Sequence, residues 1–177
     1  MLSKNFIKHF LPFIALLWMS VAHAEEQRIP IFISLSNGIA DLNKSGFDNP
    51  VAFSLKAGME FKWVSVAAGY LYMDKFNFKN TSDTNVGVKG ITLSMEKPIQ
   101  LRRRFFIDLM GGLYHWDASS KFLGHEVGSD KGTNLFVGIA PRIQFGRHFS
   151  LFLGAEQYFD VSGSDIARAD IGVSWKF

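Results

Sequence analysis

Apolar and polar residues alternate one for one in segments that recur along the chain, separated by polar stretches. The pattern is cleanest in Val51 to Phe61. There Val51, Phe53, Leu55, Ala57, Met59 and Phe61 alternate with Ala52, Ser54, Lys56, Gly58 and Glu60. It returns in the last twelve residues. Ala167, Ala169, Ile171, Val173, Trp175 and Phe177 alternate with Ile166, Arg168, Asp170, Gly172, Ser174 and Lys176. Side chains on a strand point to opposite faces with period two, so each segment predicts a strand with one oily and one polar or charged face. No sustained i, i+3, i+4, i+7 pattern appears, and beyond the N-terminus no apolar run approaches the ~18 residues of a membrane-spanning helix.

Six further strands follow from the same rule. Ile29, Ile31, Ile33 and Leu35 line the first, with Pro30, which lacks an N–H, expected near its start. Val64, Val66, Ala68, Tyr70 and Tyr72 line a return strand after a connection too short for a crossover, so that pair is antiparallel. Val86 to Glu96 alternates with a slip near Gly90 that suggests a bulge. Phe105 to Tyr114, Leu135 to Phe145 and Phe149 to Tyr158 complete the set. Pro141 predicts a local irregularity in its strand, and Gly146-Arg147-His148 predicts a hairpin turn with glycine in the left-handed position. Polar loops are expected at Asn37–Pro50, Asp74–Asn85, Asp117–Lys131 and Val161–Asp165, and a short basic connection at Lys97 to Arg104. Eight strands with connections alternately long and short predict an all-β fold, an eight-stranded antiparallel up-and-down transmembrane barrel. Closure satisfies every backbone group without water.

Charge decides which face meets lipid. Lys56, Glu60, Glu96, Asp108, Arg142, Glu156, Arg168, Asp170 and Lys176 share the second face. One Arg or Lys at the bilayer midplane costs about 2–4 kcal/mol. All of them there would exceed the ~5–15 kcal/mol that holds a domain together. Turned inward they have both signs and can pair, in an interior just wide enough for side chains to fill. The expectation is a closed, ion-paired polar plug. The competing arrangement is a soluble lipocalin-like barrel, whose cavity would have to hold Phe61, Phe105, Phe145, Phe149, Trp175 and Phe177. All six fall near short turns or the C-terminus, where an aromatic girdle at the membrane interface would place them.

Composition changes this picture in three ways. Residues 1–24 read as a secretory signal peptide: Lys4 and Lys8, the apolar run Phe10 to Met19, then Ala22-His23-Ala24. That leaves residues 25–177 as the barrel domain, with cleavage after Ala24. Removing Lys4 and Lys8 leaves 17 basic residues against 16 acidic ones, so the sequence pI of 9.2 does not indicate a nucleic-acid partner. Cysteine is absent, so neither a disulfide nor a thiolate metal site is available.

Three stretches carry a family resemblance: Gly112-Leu113-Tyr114-His115-Trp116-Asp117, Phe149 to Asp160, and Val173-Ser174-Trp175-Lys176-Phe177. On these the chain resembles the OmpA-like and OmpX-like eight-stranded outer-membrane barrels over nearly its whole mature length. The resemblance implies a monomer in the bacterial outer membrane, surrounded by phospholipid and lipopolysaccharide. It also implies a C-terminal signal, Val173, Trp175 and Phe177, read by the barrel-assembly machinery.

Several residue groups are candidates for chemistry. Glu60, Arg142, Glu156 and Arg168 could re-pair to gate a narrow path, although mutual neutralisation is the simpler role. His148 and Ser150, with Glu156 or Asp160, resemble parts of a lipid A deacylase, but a hydrolase needs base and acid within hydrogen-bond reach. His125, Glu126, Asp117 and Asp130 match no metal-site spacing. Arg102-Arg103-Arg104 could meet anionic head groups or simply fix topology. No phosphate-binding glycine loop or nucleic-acid motif occurs. Phe47, Phe76, Phe78, Phe122 and Leu123 put apolar groups in the expected loops, where adhesive contacts with a host or surface ligand would form, or else cap the barrel mouth. The reading is a non-enzymatic barrel without cofactor or metal, structural or adhesive through its loops. A narrow gated channel and a lipid A-modifying enzyme are the alternatives.

Overall fold

A computed structural model describes residues 29–42, 47–78, 81–122 and 125–177. The expected signal peptide lies outside the described residues. The chain forms β1 (Ile31–Leu42), β2 (Val51–Glu60), β3 (Ser65–Phe78), β4 (Thr81–Arg102), β5 (Phe105–Phe122), β6 (His125–Phe145), β7 (Phe149–Tyr158) and β8 (Ile166–Lys176). Each strand pairs antiparallel with the next, and β8 closes on β1 from Phe32↔Lys176 to Leu42↔Ile166. Pro30 precedes β1, and its carbonyl accepts the Glu60 N–H at 2.9 Å. Gly146 takes the left-handed conformation in the β6–β7 turn, with φ +68°.

The oily face looks out. Phe53, Leu151 and Val173 are 40%, 37% and 38% exposed, whereas Glu156 and Arg168 are 6% and 2% exposed. This excludes the lipocalin-like arrangement. Phe61, Phe105, Phe145, Phe149, Trp175 and Phe177 gather at the short-turn end. All but Phe149, which is half-buried, rank among the exposed large apolar residues. Phe149 lies between Phe145 and Trp175, with ring centroids 6.1 and 6.3 Å away.

Strand lengths divide the barrel into a low side and a high side. β2, β7 and β8 have 10, 10 and 11 residues, the length of one membrane crossing. β4, β5 and β6 have 22, 18 and 21. Past its last β7 partner (Phe136↔Tyr158), β6 continues through His125–Leu135. At about 3.3 Å per residue these residues run roughly 36 Å along the strand.

Two expected loops are therefore mostly strand, and a third is strand in its first six residues. β1 runs through Asn37 and Gly38 to Leu42, because Gly38 sits between Ala52 and Asp170 in the ladder. A Cβ at Gly38 would collide with the Ala169 carbonyl oxygen, so this glycine serves close packing rather than a turn. Asp74–Asn85 is largely the end of β3 and the start of β4, and Asp117–Lys131 the end of β5 and the start of β6. The basic connection shrinks to Arg103 and Arg104, since β4 continues to Arg102. The register shifts in β3–β4 fall between Met73 and Phe76 and between Asn77 and Phe78, while Gly90 pairs regularly with Leu71 and Trp116. The slip in alternation near Gly90 has another cause: Val88 points inward and Lys89 outward, the reverse of the polarity below it. At Pro141 the β6–β7 pairing skips from Ile139↔Ala155 to Arg142↔Phe152 without changing register, as a missing N–H donor requires.

Candidate functional site

The lower half of the lumen holds the charges. Glu156 is the hub. One oxygen accepts from the Lys56 ammonium at 2.9 Å. The other accepts from Arg168 Nη1 at 2.8 Å and from the Tyr158 hydroxyl. Arg168 Nη2 donates to Ser36 Oγ at 2.6 Å and pairs with Asp170, whose Oδ2 accepts the Ser36 hydroxyl at 2.8 Å. Lys56 also reaches Glu96, at 3.8 Å. Arg142 forms a two-point fork with Asp108, at 2.6 and 3.0 Å, and its guanidinium lies 4.7 Å from the centre of the Phe106 ring. Lys176 pairs with Glu60 at 2.7 Å.

Glu60, Arg142, Glu156 and Arg168 thus fall into three separate sets. A cavity of about 70 Å³, lined in part by Lys56, Glu96, Asp108 and Arg142, lies among the sets.

The upper half of the lumen is apolar, where a polar plug was expected throughout. Tyr114 and Tyr158 meet edge to face at 4.9 Å, and Phe136 stacks on Tyr158 at 5.1 Å. Leu71, Met73, Phe76, Val88, Trp116, Ala118 and Ile166 complete a buried cluster. Phe47 packs against it from the β1–β2 loop, and the Asp48 N–H reaches the Asn77 carbonyl at 2.9 Å. Phe76 is fully buried, so it caps the lumen and offers no adhesive contact. Nothing is described for the side chains of Phe78 and Phe122, and Leu123 lies outside the described residues. The signal for this stopper is the phase inversion. Met73 faces in where Asp74 faces out, and Trp116 faces in where Asp117 faces out.

Above the stopper β4, β5 and β6 stand as a sheet. Tyr70, Tyr72, Ile91 and His115 cover its outer foot, and Asp117 pairs with Lys131 at 3.1 Å higher up. Trp116 lies over Gly132 and donates from Nε1 to Asn134 at 2.8 Å. Among the described residues, the outer edge of β6 above Phe136 has no strand beside it, because β7 stops at Tyr158. Two contacts blunt that edge: Asp130 Oδ1 accepts the Lys131 N–H at 2.9 Å, and Ser162 donates to Asp130 Oδ2 at 3.0 Å.

The remaining candidates are scattered. His148 Nδ1 lies 2.7 Å from the Lys176 carbonyl, and no hydrogen bond joins it to Ser150 among the described residues. Asp160 leaves the strand face in a left-handed turn (φ +52°) at the opposite end of β7. Asp117 and Asp130 lie on opposite faces of the β5–β6 pair, since Asp130 pairs with inward-facing Ala118. His125 is exposed, and Glu126 has no described side chain. Val173, Trp175 and Phe177 lie along the outer face, and the Phe177 N–H donates to Ile31 at 2.8 Å.

No protein-family model matches the chain, and no curated protein is significantly similar to it in sequence. Solved structures are similar in fold. Neisserial surface protein A superposes with a TM-score of 0.70 at 16% identity, covering 83% of this chain and 97% of that one. Ail, the attachment invasion locus protein of Yersinia pestis, gives 0.62 at 15% identity, covering 84% and 99%. The N-terminal β-barrel domain of Pseudomonas aeruginosa OprF gives 0.61 at 11%, covering 82% and 97%. With its outward oily face and closed eight-strand ladder, the chain carries the fold of the small eight-stranded outer-membrane β-barrels.

Proposed function

We propose that the protein is a surface-interaction barrel of the bacterial outer membrane, which holds the β4–β6 sheet outside the bilayer for a ligand to meet. The single observation that carries this is the asymmetry of strand length: β2, β7 and β8 stop at one membrane crossing, while β4 and β6 run about twice as far. A barrel needed only as a membrane plug has no use for the added strand. The lumen below is filled by paired charges and closed by Tyr114, Tyr158 and Phe136, which favours a binding role over conduction. The scattered positions of His148, Ser150 and Asp160 favour a non-catalytic one. In this reading the neighbours are outer-leaflet lipopolysaccharide around the belt and the assembly machinery at the C-terminal strand, and the barrel works as a monomer.

The ligand class to test first is sulfated glycan. Ail has been solved in complex with the heparin analogue sucrose octasulfate. The raised sheet here carries Lys89 and Lys131 on its outer face. Deleting Ser119–Ser129, which face each other across β5 and β6, and replacing Lys89 and Lys131 by glutamine shorten the sheet and remove both cations without touching the membrane belt. Cells displaying the intact barrel should bind cultured host cells or immobilised heparin. The trimmed barrel, still folded by its heat-modifiable mobility, should lose at least about nine-tenths of that binding, taking a central contact at ~2 kcal/mol or more. Equal binding by both forms would overturn the proposal.

A further inference from the structure

The end opposite the raised sheet carries an unusual charge pattern. The β4–β5 turn presents Arg102, Arg103 and Arg104, and the β6–β7 turn presents Arg147 beside His148, all exposed. The two turns are neighbours on the rim, because the Gln144 N–H donates to the Arg104 carbonyl at 2.9 Å. Among the described residues none of the four arginines is in an ion pair. The nearby acids are taken: Glu60 by Lys176 and Asp108 by Arg142. Lys62 adds a further cation in the β2–β3 turn, 5.5 Å from the ring centre of Trp63. The opposite end mixes signs, with Asp41, Asp74, Lys75, Lys89, Asp117, Asp130 and Lys131.

Aromatic residues fix the height of this patch. Phe105 and Phe145 directly flank the two turns and face outward, as do Trp63 and Leu101. Such a girdle sits at the level of lipid head groups. The short turns of outer-membrane barrels lie on the periplasmic side, and turns this short keep the arginines at the level of the periplasmic-leaflet head groups. Guanidinium groups bind phosphate oxygens in two-point hydrogen bonds, which an ammonium cannot do.

We infer that Arg102, Arg103, Arg104 and Arg147 form a basic collar that holds the phosphate head groups of anionic phospholipids in the periplasmic leaflet. The collar fixes the vertical position of the barrel and collects an annulus of anionic lipid on one side of it, under the β4–β7 half. This site is independent of the raised sheet and of any ligand bound there.

The test uses the full barrel in vesicles of phosphatidylcholine containing a minor share of phosphatidylglycerol. Lipids that stay bound after gentle extraction are counted by native mass spectrometry. At low salt the wild-type protein should retain phosphatidylglycerol over phosphatidylcholine by roughly tenfold or more, from about fivefold per arginine near the surface, and high salt should erase the preference. The combined variant Arg102→Gln, Arg103→Gln, Arg104→Gln, Arg147→Gln should retain the two lipids equally while keeping its folded mobility. No preference in the wild type at low salt, or a preference that survives the four replacements, would overturn the inference. So would binding of soluble polyphosphate with no preference among lipids, which would make the collar a site for a periplasmic polyanion. The salt titration of the wild type decides the matter if the variant does not insert.

Discussion

Arg168→Met should lower the stability of the folded barrel by about 3–5 kcal/mol, the cost of removing one partner from a buried charge set. The Arg168 side chain is wholly enclosed and contacts Glu156, Asp170 and Ser36 at once. Methionine keeps most of its volume and none of its charge, so the effect isolates electrostatics from packing. Glu156 retains Lys56 and Tyr158, but Asp170 keeps, among the described residues, only the Ser36 hydroxyl. Urea unfolding of the barrel in vesicles, followed by tryptophan fluorescence, measures the change. Adding Glu156→Gln and Asp170→Asn should return part of the loss, because the stranded carboxylates are then neutral. A loss below about 1 kcal/mol, typical of an exposed pair, would show that water reaches this network freely.

Tyr158→Ala should be comparably damaging and should also change what the barrel passes. The ring fills the space between Tyr114 and Phe136, and the hydroxyl donates to Glu156. Deleting a buried aromatic leaves a cavity and costs about 3–5 kcal/mol. Tyr158→Phe keeps the ring stack and loses only the hydrogen bond, about 1–3 kcal/mol. In planar bilayers the wild-type protein and Tyr158→Phe should be electrically silent. Tyr158→Ala should show a measurable conductance, since the stopper separates the charged lower lumen from the outside. Steady conductance in the wild type would place the permeation barrier elsewhere.

The membrane zone was legible from residues alone because lipid imposes one rule on it. Positions such as Leu55 and Lys56, or Val173 and Ser174, must sort by polarity when one face meets hydrocarbon. That rule also brought the buried charges to one side, although their partners depend on register, and period two does not encode register. Above the bilayer the rule reverses. The outside is water and the inside is the stopper, so Lys89 and Asp117 face out while Val88 and Trp116 face in. Scanned for the membrane pattern, these stretches look like polar loops. Turn-forming residues strengthened that impression: Asn37-Gly38 reads as a turn, yet the ladder on both sides keeps it extended. The same inversion explains why Phe76 looked available for adhesion and is buried instead. Side-chain pairing across strands, as in Glu156 with both Lys56 and Arg168, belongs to closure of the barrel and has no local signature.

The claim beneath all of this is that odd-numbered positions of β8 touch hydrocarbon and even-numbered ones face the lumen. The absence of cysteine makes single-cysteine scanning direct. A nitroxide attached in turn at each residue from Ala167 to Trp175 can be probed in vesicles with oxygen, which concentrates in lipid, and with a water-soluble nickel complex. Ala167, Ala169, Ile171, Val173 and Trp175 should show high oxygen accessibility, and Arg168, Asp170, Gly172 and Ser174 low values. High oxygen accessibility at the even positions, with the odd ones shielded, would contradict the account.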